Sequence, residues 1–283
     1  MESVAGLTPW RSAAAQVLVS NLNSPELEPD DLHHLQRVLR LRVGQEVCAT
    51  NGAGGWRSCA FSASHALEAL GETHQELAPE YPVTVGFAVV KGERPELIVQ
   101  KLTELGVDRI WPFMAQRSVV RWDEEKTAKQ LERLRRVARE SCAQSRRLWL
   151  PEVGFALDGA AAGGAAAARA AEGGAAVGGS GVGGSGVGGS AGDSTPPGRA
   201  ERLASFEQVR KSGAVLANMG GSALKRADRI VLVGPEGGWD SAESEGASCV
   251  TLGEHVLRAE TAAITAGVLL TALRAGIARE NMR

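Results

Sequence analysis

"DRIVLVGPEGGWDSAESEGASCVTLG", residues 228–253, decides the fold. An apolar run, "IVLV", ends in a Gly-Pro-Glu-Gly-Gly turn. A short helical stretch, "DSAESEGA", follows, and "CVTLG" reads as the next strand. Strand, helix and strand in that order build a parallel pair with the helix on one face. Ligands of such sheets bind outside the carboxyl ends of the strands, where this turn lies. Gly234, Gly237 and Gly238 remove side chains there, so a ligand can approach the backbone closely. Pro235 stiffens the turn. Glu236 offers a carboxylate either to a cationic ligand or to loop N–H groups. A tight strand–helix connection without a ligand would use the same glycines. Asp240 and Glu243 have the spacing of a capping box and a structural role. The turn has neither the closing lysine of a phosphate-binding loop nor the Gly-x-Gly-x-x-Gly spacing of a dinucleotide site.

The alternation extends to both sides. Upstream, "VTVGFAVVKG" reads as a buried strand and "PELIVQKLTELG" as a helix with Pro95 in its first turn and Gly106 as its stop. "DRIWPFM" is a strand. "DEEKTAKQLERLRRVARESCAQSRR" is a longer helix with Leu131, Leu134, Ala138 and Cys142 as its inner stripe and Lys129, Arg133, Arg136 and Arg139 on its outer side. "GAVLAN" is a strand, and "AETAAITAGVLLTALRAG" is the closing helix. Residues 81–283 therefore read as an α/β domain with a largely parallel sheet. It is interrupted at about 159–200 by a Gly/Ala/Ser-rich stretch containing "VGGSGVGGSGVGGS". That composition predicts a flexible surface insertion. Residues 1–80 have a different texture. Short apolar runs and an Asn51-Gly52 hairpin signal predict a small β-rich domain. Embedded in it is "DDLHHLQRVLRLRVG", a helical stretch with Asp31 as a potential cap and Leu35, Val38 and Leu39 as its apolar side. His33, His34, Arg37, Arg40 and Arg42 make its surface basic.

A net charge of −2 provides no global field for nucleic acid, so any RNA contact has to come from local patches. Four scattered cysteines without a Cys-x-x-Cys pair argue against a zinc cluster and a disulfide framework, and suit a reducing cytoplasm. No apolar run approaches membrane-spanning length, and the first residues lack the pattern of a secretory signal. Neither a membrane nor a metal is expected.

A second candidate site is "LGEHVLRAETAA", where a strand ends at Leu252-Gly253 and a helix begins near Glu260 or Thr261. Glu260 suits a helix N-terminus and Thr261 could cap it. Arg258 does not suit it, because a cation there typically costs about 0.3–1 kcal/mol. Such a residue needs a partner: an external phosphate or substrate carbonyl, or an intramolecular bridge to Glu254 or Glu236.

"GPEGGW" followed by "LGEHVLRAETAA" resembles the closing motifs of the RsmE family, the 16S ribosomal RNA uracil-N3 methyltransferases of the SPOUT superfamily. "HHLQRVLRLRVGQ" resembles that family's N-terminal PUA-like RNA-binding barrel. "KGERPELIVQKLTELGVDRIWPF", "QRSVVRW" and "AQSRRLWLPEV" are similar to its middle. The resemblance covers residues 15–153 and about 213–278. It departs from the usual pattern at His255, Trp239, Ala143 and Arg146. It implies a SPOUT-type domain with a C-terminal trefoil knot holding S-adenosyl-L-methionine, lined by Val233, Gly234, Pro235, Glu236, Gly237, Gly238, Leu252, Gly253 and Leu257. It also implies a homodimer acting on 16S ribosomal RNA, within the small ribosomal subunit. Catalytic roles are then open to Arg258, which could stabilise charge on the uracil oxygens, to Glu260, which could accept the proton directly or through water, and to Thr261 beside them; the sequence does not establish which residue takes the proton. RNA contacts fall to Arg37, Arg40 and Arg42 in the N-terminal domain and to Arg117, Arg121 and Arg147 near the catalytic domain. Alternatives are a SPOUT enzyme acting on a ribose 2′-hydroxyl or another base, and a non-catalytic ribosome-assembly factor.

Overall fold

A computed structural model describes residues 8–92, 94–155 and 203–278; the insertion expected at about 159–200 lies outside them. The N-terminal unit begins with a single turn, α1 (Pro9–Ser12), and strand β1 (Ala15–Leu18). Next come α2 (Pro29–His33), which continues into a π-turn at His34–Val38, and strands β2 (Glu46–Thr50), β3 (Gly55–Phe61) and β4 (Leu67–Gln75). The strands form a sheet in the order β1-β2-β3-β4, parallel at its first pair and antiparallel after it. Val17, Val47, Cys59 and Phe61 alternate onto one face and close over Leu35. The helical stretch differs from expectation in two ways. Glu28, not Asp31, is its N-cap, because Pro29 takes the first helical position. Only Leu35 points inward: the widened π-turn rotates Val38 and Leu39 out, to 61% and 44% exposure.

The second unit is built on β5 (Thr84–Ala88), α3 (Arg94–Leu105), β6 (Arg109–Met114), α4 (Glu124–Gln144) and β7 (Glu152–Val153). After the insertion come β8 (Ala204–Ser205), α5 (Phe206–Arg210), β9 (Val215–Ala223), β10 (Ile230–Val233), α6 (Ser241–Ser244), β11 (Cys249–Thr251) and α7 (Ala259–Arg274). The sheet order is β11-β9-β10-β5-β6-β7, with β8 also on β6, and every pairing is parallel. Both faces are covered, which is why its strands read as continuous apolar runs. Val85, Phe87, Ile110, Val231 and Val233 face α3, α4 and α7. Trp111, Phe113, Leu216 and Leu232 face α5 and Trp239.

The pairing of β9 with β11 jumps: Cys249 pairs with Leu216, while the next residue, Val250, pairs with Ser222. Residues 217–221 are extruded between these two anchors. They return beneath β11 so closely that a Cβ on Gly221 would lie 2.5–2.6 Å from the backbone of Val250. Only glycine fits this crossing.

Helix α4 joins the two units. Arg139 donates to the Leu18 carbonyl (2.7 Å) and pairs with Asp31 (3.2 Å). Gln16 Nε2 donates to the Arg147 carbonyl (2.7 Å). Arg146, at φ +58° just past the helix, donates to the carbonyls of Ala13 (2.9 Å) and Ala14 (3.0 Å). Trp10, Cys48 and Trp56 pack against Leu148 and Trp149. Among the described residues no helix is long and apolar enough to cross a membrane.

Candidate active site

A cavity of about 390 Å³ opens at the carboxyl ends of β10 and β11, beside the middle of β9. Its walls are Ala217, Asn218 and Met219 from the extruded part of β9, Val233–Trp239 apart from Gly237, and residues 251–253, 255–259 and 262. Most of this lining is apolar side chain or bare backbone. Glu236 and Arg258 are its charged members. The volume lies within the range of about 300–1,000 Å³ typical of small-ligand sites.

The turn at 234–238 is held from behind. Pro235 O accepts from Gly238 N (2.9 Å). Trp239 donates to the Ala217 carbonyl (2.9 Å) and stacks on Phe113, with ring centroids 6.2 Å apart. This fixes the turn to β9 and to the core. The glycines now have separate reasons. A Cβ on Gly234 would come within 3.0–3.3 Å of the Trp239 indole, so that glycine serves internal packing as well as bare backbone on the cavity wall. Gly238 adopts φ +71°, a conformation L side chains rarely adopt. Gly237 is outside the cavity, and a Cβ there would make ordinary contact with Arg117 at 3.5 Å.

The loop after β6 braces the same turn. Glu243 is buried and accepts from Gln116 N (2.8 Å) and Asp240 N (3.0 Å), completing the capping box expected at α6. Arg117 pairs with Asp240 (3.3 Å) and reaches Gly237 O (3.4 Å). Arg121 is exposed nearby and donates to Gln116 O (3.3 Å).

Arg258, not Thr261, is the N-cap of α7, and its side chain makes no capping bond. Glu236 pairs with Arg94 instead of Arg258, at 2.9 Å. The Arg258 side chain thus stays exposed on the cavity wall with no hydrogen bond or ion pair among the described residues. Glu260 and Thr261 do not line the cavity. Thr261 is exposed one turn into the helix. Glu260 Oε1 stands 3.8 Å from Arg94 Nε, and its Oε2 is buried without a hydrogen-bond partner.

Of the arginines expected to meet RNA, Arg37, Arg40 and Arg42 are exposed on the N-terminal unit. Arg147 is not available. Its side chain is 11% exposed, pairs with Asp108 (3.1 Å) and donates to the carbonyls of Thr103 and Val107. Burial lowers its pKa, and the Asp108 carboxylate opposes that shift. Arg147 is part of the core's ion network, which Arg274 joins from α7 through the same carboxylate.

Sequence reasoning overlooked Arg94 and residues 217–219. A signal existed for Arg94: like Arg258, it is a cation in the first turn of a helix, where the backbone dipole disfavours it. Among the described residues no group of three or more His, Cys, Asp or Glu side chains could hold a metal ion.

A family model described as "RNA methyltransferase domain" matches residues 77–162 and 198–271, and one described as "RNA methyltransferase PUA domain" matches residues 27–68. The chain is 32% identical over 253 residues to the ribosomal RNA small subunit methyltransferase E of Synechocystis, covering 86% of this chain and 71% of that protein. It is 27% identical to the protein of the same name from Bacillus subtilis, covering 84% and 85%. Among solved structures it resembles that of a ribosomal RNA small subunit methyltransferase E from Neisseria gonorrhoeae bound to S-adenosyl methionine. The TM-score is 0.62 at 22% identity, with 92% and 97% of the chains covered. A putative methyltransferase from Legionella pneumophila in complex with the same cofactor gives 0.64 at 23% identity, covering 91% and 96%.

Proposed function

The chain belongs to the ribosomal RNA small subunit methyltransferase E family of RNA methyltransferases, and we propose that it methylates N3 of a uridine in 16S ribosomal RNA, using S-adenosyl-L-methionine held in the cavity between the 234–238 turn and the 251–258 loop. The observation that carries this reading is an apolar, backbone-rich cavity with one uncommitted guanidinium, Arg258, on its wall. The close crossing of Gly221 under Val250 supports a knotted chain around it.

The lining fits the cofactor. Val233, Gly234, Pro235, Gly238, Leu252, Gly253 and Leu257 present short side chains and backbone to the cofactor's nucleoside, and Glu236 presents a carboxylate to its cationic sulfonium. When bound, the cofactor supplies an electrophilic methyl group. The remaining work belongs to the protein. Uracil N3–H is a weak acid, and its anion carries charge on the flanking oxygens. Arg258 donates to those oxygens, a contact that strengthens as charge develops. Glu260 does not line the cavity, so the N3 proton leaves through water.

RNA is held by Arg37, Arg40 and Arg42 at one end and by Arg117 and Arg121 beside the cavity. Val256 beside the site and Ile277 beyond α7 are more than 80% exposed, which supports burial of this side in a homodimer. The reading is tested by incubating the protein with small ribosomal subunits and isotope-labelled S-adenosyl-L-methionine, followed by nucleoside mass spectrometry. Label in 3-methyluridine is expected. Label in a 2′-O-methyl nucleoside, or bound cofactor with no transfer to any subunit, would overturn it.

A further inference from the structure

Arg94 and Glu236 form an ion pair across the lip of the cavity that the reaction does not use. The Arg94 guanidinium opens α3 and lies 2.9 Å from Glu236 Oε1, while Glu236 itself lines the cavity at 42% side-chain exposure. On its other side the same guanidinium stands 3.8 Å from Glu260, whose second oxygen is buried and unpaired. One cation thus serves two carboxylates, and the cluster carries one uncompensated negative charge. Glu260 is held in the protein interior. Glu236 is the member free to turn toward a ligand.

We propose that Arg94 and Glu236 form a charge-sensing latch that separates the cationic cofactor from its neutral-sulfur product. The proposal rests on the cofactor reading above. Methyl transfer breaks a sulfur–carbon bond, leaves the bonding pair on sulfur, forms the nitrogen–carbon bond and releases the N3 proton. The ligand thereby loses one positive charge. Before transfer, Glu236 gains by leaving Arg94 for the ligand's cationic sulfonium. After transfer that gain disappears, Glu236 returns to Arg94, and the product is left without its counter-charge. Because the pair is half-exposed, the latch has a modest size. An exposed ion pair is worth up to about 1 kcal/mol, roughly a fivefold change in affinity.

Calorimetric titration of the full chain with S-adenosyl-L-methionine and, separately, S-adenosyl-L-homocysteine tests the latch without turnover. Glu236→Gln is expected to weaken the first ligand about fivefold and leave the second unchanged. Arg94→Gln is expected to shift the affinity ratio toward the cationic ligand, and Arg94→Lys, which still holds Glu236, to stay near wild type. Should Arg94→Gln fail to fold, the Glu236→Gln pair of titrations and the salt dependence of the wild-type ratio still decide: the preference for the cationic ligand is expected to shrink at high salt. Equal changes for both ligands in Glu236→Gln, or none, would overturn the latch while leaving the cavity assignment intact. Wild-type protein that binds neither ligand would overturn the cofactor reading, and the latch with it.

Discussion

Replacing Gly221 with alanine should unseat β11. The added methyl carbon would sit 2.5–2.6 Å from N, Cα and C of Val250, against an ordinary carbon contact of 3.4–4 Å. Relief requires about 1 Å of separation. The obstacle is backbone, not the end of a flexible side chain, so no rotamer change supplies it. Val250 is itself buried in the core, 2% exposed, and pairs with Ser222 beside the crossing. Overpacking of this kind costs about 1–3 kcal/mol. The lower chain entropy of alanine in the unfolded state returns about 0.4–1 kcal/mol. A net loss of about 1–1.5 kcal/mol is expected, roughly a 2–6 °C fall in melting temperature for a domain of this size. Urea unfolding should show a lower midpoint at unchanged slope. Gly237→Ala is the internal control, since its methyl meets only Arg117 at 3.5 Å, and it should change stability by less than about 0.5 kcal/mol. A Gly221→Ala protein with the wild-type midpoint would mean that β9 and β11 do not cross as described.

Arg258→Ala should lower single-turnover methyl transfer by about a hundredfold or more, the scale of losing one oxyanion donor, with cofactor affinity unchanged; Arg258→Lys should recover only part, because it lacks the planar fork. A near-normal rate for the alanine variant would make Arg258 structural. Arg147→Ala should cost up to about 3–5 kcal/mol by stranding part of the Asp108 carboxylate, with a loss of melting temperature rather than a specific loss of RNA affinity; a stable variant that binds RNA weakly would reverse that assignment. Reversing the charges of Arg37, Arg40 and Arg42 should weaken small-subunit binding and flatten its salt dependence, as measured by filter binding across a salt series; an unchanged slope would place RNA elsewhere. Burial raises the thiol of Cys48 from 9.0 to about 12 and that of Cys142 to about 11. The unfolded chain releases these protons first, so the thiols' contribution to stability should be constant below about pH 9 and fall above it, by about 1.4 kcal/mol per pH unit for each thiol until its folded-state value is reached. Serine replacements at both positions should reduce the slope in alkaline unfolding curves, leaving the part that the Cys59 thiol, also raised by burial, contributes.

The sheet was legible because parallel strands covered on both faces must be apolar throughout, as "IVLV" and "TVGFA" are. The same logic hid the rest of β9. Its continuation, "ANMGG", residues 217–221, is extruded from the pairing, and its first three residues wall a cavity, so no strand periodicity marks it. Arg147 looked like surface because it stands in a basic run; its burial depends on Asp108, 39 residues away in sequence. The N-cap of α7 was misplaced for a related reason. Threonine is the better cap by propensity, yet helical geometry begins right after Arg258, before any good capping residue. Arg94 was passed over because its two partners, Glu236 and Glu260, lie on elements far along the chain.

The clasp between α4 and the N-terminal sheet has a consequence for what can serve as substrate. With Arg139 and Arg146 tying the helix to the carbonyls of Leu18, Ala13 and Ala14, the two units behave as the jaws of a caliper locked at one opening. An RNA that engages the exposed arginines of the N-terminal jaw and offers its uridine to the cavity has to present both at that spacing. A folded ribosomal surface holds such a spacing in advance, and once one jaw is seated the other meets its target at high effective concentration. A short single strand must be stretched or bent to the same gauge and gives up conformational entropy to do so. On the proposed function the protein then measures a distance as well as reading a base, and lengthening the span by inserting residues between Ser145 and Leu148 should cost the assembled subunit its advantage over an oligonucleotide.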